Sequence, residues 1–91
     1  MEQYLVELYL PRADATRLRD AAHRAHAAAE EMTREGTPIR YLRAIFLDGD
    51  EICFHLYEAE SRELVLEAAR RAAIAVERVL EAIDVEIGRD G

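Results

Sequence analysis

Glu7, Arg43, His55 and Glu81 are the residues of this chain with the most chemistry to offer. Carboxylate, imidazole and guanidinium groups in one row can hold a divalent ion, move a proton or bind an anion. Imidazole nitrogen and carboxylate oxygen suit nickel, zinc and similar ions, which makes Glu7, His55 and Glu81 the candidate metal ligands. The same row can serve a small organic ligand, with His55 as a proton shuttle and Arg43 as an anion anchor. Tyr9, Tyr41 and Tyr57 then line an aromatic wall beside Arg43. A purely structural reading stands next to these. Buried charges need partners, and Glu7 with Arg43 and Glu81 with His55 can satisfy each other while fixing the register of an interface.

Other candidates are weaker. His23 and His26 lie three apart, with Glu30 one turn on. That spacing can pair ligands on a helix, but the residues fall off the apolar stripe and read as surface histidines. Cys53 is two residues from His55, a separation at which strand side chains point the same way without closing to hydrogen-bond distance. It reads as a small buried hydrophobe. No Gly-rich phosphate loop, CxxC, HExxH or Ser-His-Asp signature is present.

The elements that must position the row follow from periodicity. "QYLVELYL" is rich in β-formers and ends at Pro11. It places Tyr4, Val6, Leu8 and Leu10 on one face and Leu5, Glu7 and Tyr9 on the other. Asp14 is an N-cap, and Leu18, Ala22, Ala25, Ala29 and Met32 then recur at helical spacing. Gly36 suits a left-handed helix end, and Thr37-Pro38 turns the chain extended. "IRYLRAIFL" and "EICFHLYEA" are two strands around Asp48-Gly49-Asp50. Ser61 caps a second helix with Val65, Ala68, Ala69 and Ala72 inward. A last strand runs from about residue 77 to 87.

A three-residue hairpin loop places residues whose numbers sum to 98 opposite each other. Leu42 then meets Leu56, Ala44 meets Phe54 and Phe46 meets Ile52 under the helices. Tyr41 meets Tyr57, Arg43 meets His55 and Ile45 meets Cys53 on the reverse face. A two-residue loop mixes apolar and polar residues on both faces and is rejected. The element order predicts an α+β, ferredoxin-like βαββαβ sandwich. It has a four-stranded antiparallel sheet of order 4-1-3-2, with both helices on one face. The open face, with Val79, Glu81 and Ile83 from the last strand, is too apolar to leave in water. It predicts a homodimer closed sheet to sheet as an α+β barrel, with the polar row in the interface.

The chain has 91 residues, 51% hydrophobic and 34% charged, and a net charge of −7. These values describe one globular domain spanning 1–91, with little stability to spare. The negative charge argues against nucleic acid and anionic membranes as partners. The single cysteine forms no internal disulfide, and "MEQYLVELYL" has neither the basic start nor the cleavage site of a signal peptide. A cytoplasmic protein is expected.

The stretches "YLVELYLP", "EGTPIRYLRAIFL", "CFHLYEAES" and "RRAAIAVERVLEAI" together resemble a family of small bacterial ferredoxin-like proteins. The family was formerly a domain of unknown function, and some members are described as nickel-binding. The resemblance covers nearly the whole chain. It implies a dimer of βαββαβ subunits, with Glu7 and Glu81 matching family glutamates. His55 stands where the nickel-binding branch carries cysteine, and Arg43 where it carries histidine. Ala72 to Ala75 replace residues that are often glycine and proline. The function expected is a small dimeric protein binding nickel, another divalent metal or a small ligand. The alternative is an α+β barrel enzyme of the cofactor-free monooxygenase type.

Overall fold

The computed structural model describes residues 1–83, Val85, Ile87 and Gly88. Six elements follow in order: β1 (Glu2–Tyr9), α1 (Ala15–Arg34), β2 (Ile39–Leu47), β3 (Ile52–Ala59), α2 (Arg62–Arg71) and β4 (Arg78–Ala82). The strands form one antiparallel sheet of order β2-β3-β1-β4. This is the expected ferredoxin-like α+β arrangement. None of the described helices is long and apolar enough to cross a membrane.

Local chemistry sets the helix ends. The Asp14 side chain accepts the Arg17 amide at 2.8 Å, and Ser61 accepts that of Leu64 at 3.4 Å. Both helices end in the same hydrogen-bond pattern. Thr37 N–H donates to the Met32 carbonyl and Gly36 N–H to Thr33; Ile74 N–H donates to Ala69 and Ala73 N–H to Arg70. The pattern needs one left-handed residue. In α1 it is Gly36 at φ 103°, and in α2 it is Ala73 at φ 59°.

The core lies between sheet and helices. Ala25, Ala28, Ala29 and Met32 of α1 and Val65, Ala68 and Ala69 of α2 are buried against Tyr4, Val6 and Leu8 of β1. Arg71 ties the helices together, reaching Glu31 of α1 at 2.8 Å, Glu35 at the C-cap of α1 at 3.0 Å and Glu67 on its own helix at 2.8 Å.

The two middle strands depart from expectation. The hairpin loop is four residues, Asp48–Glu51, because Glu51 takes a left-handed turn (φ 55°) and joins the loop rather than the strand. Leu47 therefore faces Ile52, Phe46 faces Cys53 and Ala44 faces His55. A bulge at Leu42 then restores the expected match of Tyr41 with Tyr57. β1 decides which face is inner. Val6 lies opposite His55 and Tyr4 opposite Tyr57, so Cys53, His55 and Tyr57 lie under the helices. Ile52, Phe54 and Leu56 take the open face, the reverse of the expectation. Packing supports this choice: alanine-faced helices leave depth that large side chains from the sheet must fill.

β4 ends at Ala82 rather than near residue 87, and the expected strand positions Asp84 and Glu86 lie outside the described residues. Its register places Val6 opposite Val79 and Tyr4 opposite Glu81. Val79 and Glu81 are thus on the helix side of the sheet, not on the open face.

Candidate functional site

β3 carries Cys53, His55 and Tyr57 on one face, and the helices close over all three. His55 is 1% exposed. The bulge at Leu42 keeps Tyr41 on this same side, edge-on to Tyr57 with ring centroids 5.2 Å apart. The Tyr41 hydroxyl lies 2.8 Å from His55 Nδ1. The two groups share one hydrogen bond, in which either the hydroxyl or an Nδ1–H is the donor. Nε2 lies 3.8 Å from Cys53 Sγ, a weak contact. The Tyr57 hydroxyl is buried without a partner among the described residues.

Burial, with the Arg24 guanidinium second, lowers the His55 pKa to about 4. Burial also pushes the Cys53 thiol and the Tyr41 and Tyr57 hydroxyls upward. At neutral pH the cluster is therefore uncharged. A thiol held protonated is a poor nucleophile, which agrees with Cys53 as a packing residue.

His55 forms one wall of a cavity of about 330 Å³ between the end of β1, α1 and the segment 73–75 after α2. Leu8, Leu10 and Ile74 supply apolar lining, and Arg17, Asp20 and Arg24 line it from α1. The Arg24 Nε–H donates to the Ala72 carbonyl at 2.9 Å, which fixes the side chain between α1 and the segment after α2. The volume falls in the range of small-molecule sites.

The expected polar row is not assembled within the chain. Glu7 lies on the open face, where it accepts from Arg78 Nε at 2.8 Å rather than from Arg43. Arg43 is exposed on that face beside Ile45 and Leu47. His55 and Glu81 lie on the helix side, with β1 between their strands. Of the expected aromatic wall, Tyr41 and Tyr57 stand together under the helices. Tyr9 is 57% exposed at the end of β1, its hydroxyl donating to Glu51 at 3.2 Å. His26 and Glu30 are an exposed pair at 3.7 Å. Among the described residues, no three His, Cys, Asp or Glu side chains converge on one point. The cavity residues Arg17, Asp20 and Arg24 were not anticipated. Their spacing of three and four along α1 was the available signal, a polar stripe flanking the apolar one.

A family model described as nickel responsive protein SCO4226-like matches residues 4–82. The crystal structure of SCO4226 from Streptomyces coelicolor A3(2) is similar over 92% of this chain and 99% of that one. The TM-score is 0.66 at 16% sequence identity, a likeness of fold. No curated protein sequence matches the chain.

Proposed function

We propose, from the premise that this chain belongs to the SCO4226-like family of nickel-responsive proteins, that it is a small homodimeric binding protein whose ligand enters the cavity beside His55. The observation that carries the reading is a neutral, almost wholly buried imidazole at the wall of a ligand-sized cavity.

The open sheet face supports the dimer. Leu5, Ile45, Ile52, Phe54 and Leu80 share it around Leu56, which is itself 7% exposed, and an apolar sheet face of this kind marks an interaction surface. Beyond β4, Ile83, Val85 and Ile87 are also exposed, at 85%, 77% and 89%. A second copy docked sheet to sheet covers this face and leaves the helix-side cavity free.

The donor set argues for a small organic ligand over a metal held by one chain. Among the described residues, no third His, Cys, Asp or Glu joins Cys53 and His55. His55 Nδ1 is already engaged by the Tyr41 hydroxyl at 2.8 Å. The positive Arg24 nearby repels a dication. These residues do not fit a nickel site within one chain. Titration calorimetry with Ni²⁺ should give the same heats for wild type and His55→Ala.

The direct test uses phenol as a probe in amide NMR titrations. Shifts should cluster at Leu10, His55 and Ile74 and vanish in Ala21→Phe, which fills the cavity. Shifts confined to the open sheet face would contradict the site. The position of the cavity between sheet and helix also favours a second reading, a cofactor-free α+β barrel enzyme. In that case His55→Ala would abolish turnover while the probe still bound.

A further inference from the structure

The charges around the cavity narrow the class of ligand. Arg17 and Arg24 line it against a single carboxylate, Asp20, so the lining is net positive in a chain of net charge −7. Neither arginine side chain forms an ion pair among the described residues, whereas Arg40, Arg70, Arg71 and Arg78 all do. Arg24 is held through Nε by the Ala72 carbonyl, and its two amino nitrogens have no protein partner among the described residues. A guanidinium anchored at one nitrogen and free at the others is ready to meet a planar anion. Leu8, Leu10 and Ile74 offer an apolar surface in the same cavity.

We infer that the cavity binds a small carboxylic acid with an apolar body, its carboxylate paired with Arg24 and its body against Leu8, Leu10 and Ile74. Arg17 adds attraction at the mouth, and His55 stays uncharged as a polar wall. This assignment rests on the cavity reading above and specifies the charge of its ligand. A neutral ligand would leave the Arg24 amino groups to water, and a cation would meet a repulsive field. The helix-side position keeps the site clear of the proposed dimer face.

The test compares three probes of one shape: benzoate, benzamide and benzamidine. Dissociation constants come from amide NMR titrations of wild type and Arg24→Gln. Benzoate should bind wild type about tenfold or more tightly than benzamide, and benzamidine more weakly still. Arg24→Gln should remove the advantage of benzoate and leave benzamide unchanged. If benzoate and benzamide bind equally at the cavity and Arg24→Gln alters neither, the anion assignment is overturned while the cavity reading survives. If no probe shifts Leu10, His55 or Ile74, both fall. A benzoate preference that persists in Arg24→Gln would also overturn the role given to Arg24.

Discussion

His55 owes its properties to its neighbours. A histidine with a pKa near 4 in the folded chain and about 6.5 in the unfolded chain binds a proton in the unfolded state first. Its contribution is full above pH 6.5 and is lost as pH falls toward 4. The loss is about 3 kcal/mol at most. Urea melts between pH 4 and 7 should show stability rising with pH, and His55→Leu should flatten that slope. Tyr57 makes the opposite point. Its hydroxyl is buried with no partner among the described residues, so Tyr57→Phe should stabilise the chain by about 1 kcal/mol. A loss of stability in the same melts would mean that the hydroxyl has a partner in solution. At this scale the sequence was misleading: Ile52, Phe54 and Leu56 form the more apolar face of their strand, and alternation alone favours burying them. The polar tips on the other face pack because Tyr41 and His55 satisfy each other, and that pairing depends on a bulge that alternation does not reveal.

The helices were legible almost residue by residue. Asp14, Ser61 and Gly36 cap as their types require, and the α2 stripe of Val65, Ala68, Ala69 and Ala72 is buried as spaced. The helix ends supply a matched experiment. A Cβ on Gly36 would meet no atom within 4 Å, so Gly36→Ala tests backbone strain alone. It should cost about 1 kcal/mol. Ala73→Gly relieves the same strain at the end of α2, against a more flexible unfolded chain, and should stabilise by up to about 1 kcal/mol. Opposite signs in denaturant melts are expected; equal signs would contradict the shared helix-end geometry. The hairpin was less legible, because Asp48-Gly49-Asp50 marks a turn without showing that Glu51 joins it. One added loop residue shifts the register, and every partner changes until the bulge at Leu42 restores the match of Tyr41 with Tyr57.

On the scale of the whole molecule, fold class and strand order followed from the order of elements, since short connections leave few ways to close the sheet. The polar row did not follow, because it required correct faces on all four strands at once. The reversal makes the open face more apolar, with Phe54 at its centre in place of His55. Phe54→Glu should therefore break the proposed dimer without unfolding the subunit, as judged by sedimentation equilibrium and circular dichroism. The division of labour between the faces, one closed by a partner and one holding the cavity, is the claim on which the functional account depends. Sedimentation equilibrium of the wild-type chain at micromolar concentration tests it most directly. The account predicts a species of twice the 10.4 kDa chain mass; a stable monomer would contradict it.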